Sequence, residues 1–222
     1  PEGIRIESGD FRELGKTIPL DSIDLIFTDP NYGEDYLDLW QPLAELATRV
    51  LKPGGFFLTY SGQTFLPQVI SKLTRHEETG KPLLEYYWMA GKYHDQGHVS
   101  IWVKKIWTQW KPILILRKPG DSYDHEWLLD MIRMGTRATA KELHDYGQSP
   151  EDAKYYIAKL TKPQDIVLDP CCGSGAILLG AKALDRRVIG FDIEKETAEI
   201  ALARLTEVND KIFANTGTLQ PV

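Results

Sequence analysis

Residues 165–181 read DIVLDPCCGSGAILLGA. An apolar run of strand length delivers Asp169, Gly173 and Gly175 turn the chain tightly, and an apolar helical pattern follows. Glycines let backbone approach a ligand closely, and the start of a helix offers N–H groups that have no partner inside it. Downstream, RVIGFDIE (187–194) ends a second strand on Asp192, 17 residues after Gly175. A carboxylate placed there can accept both hydroxyls of a ribose. The two pieces make a half-site for a nucleoside cofactor on an α/β sheet. The spacing D-x-x-x-G-x-G departs from the G-x-G-x-x-G of dinucleotide enzymes. An acid ahead of the glycines repels a pyrophosphate but suits the α-amino group of S-adenosylmethionine, which carries no phosphate. A nicotinamide oxidoreductase, or a glycine turn with no ligand, are the competing readings. Cys171 follows Pro170 inside this loop, where a small packed residue is needed more than a nucleophile.

A second chemistry-bearing turn precedes it by more than a hundred residues: TDPNYG, 28–33, at the end of the apolar SIDLIF. Asp, Pro, Asn and Gly are ordinary turn residues. The same stretch also offers a carboxylate, an amide and an aromatic ring that could hold a planar amino-bearing group. Between and around these turns, short apolar runs alternate with helical patterns, which predicts βαβ units and a mostly parallel sheet. Strands are expected at GIRIES (ending at Gly9-Asp10), SIDLIFTDP, FFLTYS, LLEYYWMAG, PILILRK, DIVLDP and RVIGFDIE. Helices are expected over Asp35–Leu51 (stopped by KPGG), Gln63–Leu73, Glu151–Leu160 and Lys195–Val208, with the tail NTGTLQPV frayed. The stretch between LLEYYWMAG and PILILRK reads as irregular.

The composition, 42% hydrophobic and 26% charged over 222 residues, fits one globular domain. No apolar run approaches the ~20 residues needed to span a bilayer, and PEGIRIESGD has no basic-then-apolar leader pattern. The only two cysteines are adjacent, Cys171 and Cys172, with no paired zinc pattern, so a reducing, cytoplasmic setting is expected. His94 and His98 are four apart, but Gly97 lies between them and a third ligand is lacking, so no metal is expected. Net charge is −6, unevenly spread. Lys72 to Lys118 holds nine Lys or Arg against four acids, a balance of +5 that leaves −11 elsewhere. Seven Tyr and Trp fall in that basic segment, a footprint for a polyanion or, more plainly, a solvated face over core aromatics.

The order of the two turns is informative, because a cofactor loop opening an ordinary Rossmann unit would come first. With TDPNYG ahead of DPCCGSG, the chain resembles the permuted β group of DNA amino-methyltransferases, in which a D-P-P-Y-type motif precedes a D-P-F-C-G-S-G-type motif. GDFRELGKTIPLDSIDLIFTDPNYG, RVLKPGGFFLTY, WKPILILRK, LHDYGQSPEDAKYYI, DIVLDPCCGSGAILLGA and RVIGFDIEKETAEIALARL follow in family order. It is most similar to methylases attached to ParB-like domains, which implies a piece of something longer or a partner domain adding DNA contacts. The resemblance implies a Rossmann-like class I methyltransferase: a mostly parallel seven-stranded sheet, helices on both faces and circularly permuted motifs, all within residues 1–222. Residues 1–75 would carry the catalytic motif, 76–118 target recognition and 140–210 the cofactor.

It further implies that Asp169, Pro170, Cys171, Gly173, Ser174 and Gly175 cradle the methionine part of the cofactor, that Asp192 holds the ribose and that Ile193 packs on the adenine. Asp10, with Phe11 beside it, would accept from the adenine amino group. His144, Gln148 and Pro150 match a block touching the cofactor carboxylate, with Ser149 replacing its lysine and Asp145 a proline; Gln148-Ser149-Pro150 also suits the start of the next helix. Asp29, Pro30, Asn31 and Tyr32 would form the catalytic motif on a base flipped from double-stranded DNA. Asp29 and the Pro30 carbonyl would accept from the exocyclic amino group, localising its lone pair, while Tyr32 stacks on the base. Asp at the first motif position leans toward adenine N6 over cytosine N4. Methylation of RNA or another amino group, a catalytically silent DNA-binding module, and a homodimer are the remaining alternatives at this stage. Asn31, where the family has proline, adds a backbone donor and loosens the preceding residue.

Overall fold

The computed structural model describes residues 2–94, 97–120, 125–133 and 150–216. In chain order its elements are β1 (Ile4–Ser8), α1 (Phe11–Leu14), β2 (Ile23–Thr28), α2 (Trp40–Val50), β3 (Leu51–Tyr60), α3 (Leu66–Thr74), β4 (Glu85–Tyr93), β5 (Val99–Ile101), β6 (Ile106–Thr108), β7 (Trp110–Arg117) and β8 (Met131–Arg133). There follow α4 (Pro150–Leu160), β9 (Ile166–Asp169), α5 (Ala176–Lys182), β10 (Arg187–Asp192) and α6 (Lys195–Thr216). The main sheet has eight strands in the order β1-β10-β9-β2-β3-β7-β4-β8. Only β7 runs against the others, pairing antiparallel with both β3 and β4.

Strands buried on both faces explain the continuous apolar runs. Along β2 and β3, Leu25, Phe27, Phe56 and Leu58 pack against Tyr156 and Ile157 of α4, Ile177 of α5 and Leu205 of α6. Their alternates Ile26 and Phe57, with Leu168 of β9, meet Trp40, Leu43 and Ala47 of α2 and Val69 and Leu73 of α3. The sheet is therefore sandwiched between two helical layers.

Five expectations need correction. The sheet has eight strands, not seven; β8 is three residues long, too short to show alternation, and joins the edge by pairing Gly91–Tyr93 with Met131–Arg133. The stretch read as irregular contains a separate two-stranded hairpin, β5–β6. The helix expected from Asp35 is a 3₁₀ turn over Glu34–Leu39 and becomes α-helical only at Trp40. Pro42 accounts for this: its ring clashes with the carbonyl four residues back, so an α-helix can hold it only in the first turn. KPGG lies within β3, where pairing jumps from Ile23↔Leu51 to Leu25↔Phe56, so the extra residues bulge. The last helix runs to Thr216, past the expected end at Val208 and into the first two residues of the tail read as frayed; residues 217–222 lie outside the described residues.

This topology sets the site. From β9 the chain turns through α5 toward β10 on one side, and from β2 through α2 toward β3 on the other. β2 and β9 are hydrogen-bonded neighbours. Chains leaving two adjacent strand ends in opposite directions open a crevice beyond those ends, the usual ligand position in open α/β sheets.

Candidate active site

The two turns singled out in the sequence emerge side by side. Thr28, the last residue of β2, donates its hydroxyl to Asp169 Oδ1 at 2.7 Å, and the Cys171 backbone N–H donates to the same oxygen at 3.1 Å. Asp169 is buried. Desolvation, with smaller contributions from the nearby Asp29 and Asp192, pushes its carboxyl up to about 7. The glycine loop is braced from β10: Gly173 N–H donates to Asp192 Oδ2 at 2.8 Å and Glu194 N–H to Asp192 Oδ1 at 2.9 Å. Gly173 has φ +50° and faces open space where a side chain would stand. Burial pushes both the Cys171 and Cys172 thiols upward, which leaves neither as a thiolate and fits packing residues.

Beyond these strand ends lies a cleft of about 450 Å³. It brings together Asp10, Phe11, Asp29, Pro30, Asn31, Pro170, Cys171, Gly173, Asp192 and Ile193, from four separate stretches of chain. Asp169 is not on its wall; it sits beneath it, tying β9 to β2. Ser174 is turned away, its Oγ and carbonyl both accepting from Arg204 of α6, and Gly175 starts α5 against Ala201. Gln148 and Ser149, with His144, lie outside the described residues. Tyr32 faces a second, smaller pocket of about 160 Å³ with Gly62, Phe65 and Ile101. Its ring passes so close to Gly62 that a Cβ there would stand 2.7 Å from it.

Two cationic residues at the site escaped the sequence reading. Arg12 lines the cleft and grips the Asp10 carboxylate through Nε, at 2.9 and 2.8 Å from its two oxygens, holding that carboxyl below the usual range. Asp10 also caps α1 by accepting from Arg12 N–H. Lys111, near the start of β7, places Nζ 2.8 and 2.9 Å from the two oxygens of Asp29. The same ammonium lies 5.0 Å from the Tyr32 ring centre and 4.6 Å from that of Tyr60. A signal was present: Lys111 is in phase with Ile113 and Ile115, both core residues, so period-2 alternation points its side chain inward. The metal spacing of His94 and His98 finds a different use for His98, whose ring packs 4.8 Å from that of Trp107.

An open, mainly parallel sheet carrying a nucleoside-sized cleft at its strand ends defines a class I methyltransferase-like α/β protein. Solved structures agree in fold. The PvuII cytosine-N4-specific DNA methyltransferase superposes with a TM-score of 0.75 at 17% identity, covering 95% of this chain and 94% of that one. The M1.HpyAVI–SAM complex does so at 0.70 and 23% identity, covering 91% and 98%. In sequence, a DNA methylase family, that of N6 and N4 methyltransferases, matches residues 102–203. The type II methyltransferase M.HindIII of Haemophilus influenzae is 42% identical over 210 residues, 75% of this chain and 68% of the relative. The chain belongs to this family of DNA amino-methyltransferases.

Proposed function

We propose that the chain transfers a methyl group from S-adenosylmethionine to the exocyclic amino group of a base in double-stranded DNA, adenine N6 in preference to cytosine N4. One observation carries the reading: Asp29 and Pro30 share a single cleft with Gly173, Asp192 and Ile193. The cleft also fits the cofactor's charge. Asp29 and Asp192 lie close enough to Asp169 to raise its cost of ionisation, so the site favours a cation, and the cofactor carries an ammonium and a sulfonium. When bound, it supplies an electrophilic methyl. Asp192, on the wall of that cleft, would accept from the ribose hydroxyls, and Phe11 and Ile193, on the same wall, would offer apolar surface to its adenine.

The chain's own groups then act on the target. An exocyclic amino nitrogen is a poor nucleophile because its lone pair is delocalised into the ring. Acceptance of its two N–H bonds by Asp29 and the Pro30 carbonyl localises that lone pair, and aimed dipoles do the rest. Lys111 holds both Asp29 oxygens, so the carboxylate is fixed as an acceptor and need not act as a strong base. The proton leaves after transfer. Tyr32 offers the face on which the extruded base stacks, in the manner of a D-P-P-Y-type motif with Asn31 in place of the second proline.

The adenine preference rests on Asp29 at the head of the motif; the likeness in fold to a cytosine-N4 enzyme keeps cytosine as the alternative. Nucleoside digestion and mass spectrometry of DNA from cells expressing the chain tests this. N6-methyladenine is expected. N4-methylcytosine alone would reverse the base assignment, and methylated RNA with unmodified DNA would overturn the substrate.

A further inference from the structure

We propose that the β5–β6 hairpin is a DNA-inserting finger: Trp102 and Val103 enter the base stack beside the extruded nucleotide, and Lys104 and Lys105 seat on flanking phosphates. The inference rests on the DNA reading above and adds the device that empties and fills the stack.

The tip is built against water. Trp102 is 85% exposed, Val103 91% and Trp107 75%. Apolar surface concentrated on one projection marks a contact site, because removing it from water is the main driving force available to it. The hairpin forms a sheet of its own, with Ile101↔Ile106 as its last pair, and two short strands alone are marginal. Its turn is closed by Lys105 N–H donating to the Trp102 carbonyl at 3.2 Å, with Lys105 left-handed at φ 53°. That turn sets two apolar side chains next to two cations.

Charge and position select the occupant. Residues 97–118 contain no acid, so the hairpin suits a polyanion. In a two-fold pairing of copies through this tip, Lys104 and Lys105 would meet their own equivalents. The tip end of the hairpin reaches the catalytic motif, since Ile101, in the last pair before the turn, shares the small pocket with Tyr32. Trp102 and Val103 follow Ile101 directly, in the 3₁₀ turn over Trp102–Lys104. The Trp102 ring can occupy the gap left when the target base swings onto Tyr32.

The test uses the full chain and a duplex bearing the modified site, located by sequencing methylated DNA. With a matched target base, the double variant Trp102→Ala/Val103→Ala should lose at least tenfold in kcat/KM. With the target base mispaired, where extrusion costs less, it should return to within about threefold of wild type. Lys104→Gln/Lys105→Gln should raise the KM for DNA, leave kcat alone and flatten the salt dependence by about one unit per lysine. No loss on the matched duplex, or equal losses on both duplexes, would overturn the finger. A change in solution mass of the tip variant without DNA would do the same, pointing to a contact between copies. Wild-type protein that methylates no DNA would instead sink the underlying reading.

Discussion

Lys111 and Asp29 are 82 residues apart in sequence, yet the ammonium reaches both carboxylate oxygens. A carboxylate held this way cannot rotate, so the edge it turns to the cleft is fixed before a base arrives. On the proposed mechanism, Asp29→Ala removes an acceptor aimed at the reacting nitrogen. Deleting one such aimed group costs other enzymes about 10²–10³ in rate, and a loss of that size in kcat is expected here. Cofactor affinity, measured by calorimetry, should fall by much less than kcat, because Asp169 and Asp192 remain to favour the cofactor's cationic groups. Lys111→Met strands Asp29 among acids. Removing one partner of a fully buried pair costs ~3–5 kcal/mol; with 12% and 20% of these side chains exposed, about 2 kcal/mol is expected. Denaturant melts read that loss. Lys111→Arg should restore stability but only part of kcat, since a planar fork does not fill the space of a point charge over Tyr32 and Tyr60. Full recovery of both would reduce Lys111 to a structural ion pair.

Adjacent strand ends, β2 and β9, make the site one unit, and the Thr28–Asp169 bond is the tie between them. Its pH behaviour follows from the raised carboxyl. In the unfolded chain Asp169 loses its proton near 3.8; in the fold it keeps it up to about 7. Between those values the native state holds the extra proton, so this group's contribution to stability is largest at low pH and declines as pH rises through 7. Asp169→Asn keeps an acceptor for Thr28 and Cys171 and removes the penalty, so its melting temperature should exceed wild type at pH 8 and match it near pH 4. A cationic ligand prefers the ionised acid. Wild-type affinity for S-adenosylmethionine should therefore tighten from pH 6 to 7.5, below the range where a free α-amino group titrates at ~7.7–8.0. The Asn variant should show a flat profile; an unchanged slope would remove Asp169 from cofactor recognition. Local sequence made this unit legible: strand, acid, glycines and helix lie within seventeen residues, and Asp192 follows at a fixed spacing. What was not legible depends on partners far along the chain. Asp169 looked like a wall of the cleft, yet its depth is set by Thr28. Arg12 gave no periodic signal, and three-residue strands such as β8 carry none.

At the scale of the molecule, charge placement reshapes the polyanion footprint. Of the nine cations between Lys72 and Lys118, Lys72 pairs with Glu77, Lys111 with Asp29, Arg117 with Glu85 and Lys118 with Asp21. Lys92 is buried, with Nζ over the Tyr60 ring. Exposed Lys81, Lys104 and Lys105 remain, with Arg75, whose guanidinium donates to the Gly80 carbonyl. On the proposed reading, three or four cations among the described residues of this segment are left to meet DNA, assisted by apolar insertion. Each phosphate neutralised on duplex DNA contributes about −0.9 to the slope of log K against log salt. Fluorescence anisotropy with a mixed-sequence duplex should therefore give a slope near −3, where all nine cations would give about −8. A slope steeper than about −6 would mean that the ion pairs to Glu77, Glu85 and Asp21 open on binding and hand their cations to the phosphates. With so few charges, non-specific affinity should be weak, and discrimination between sites should come from Trp102, Tyr32 and the base they hold apart.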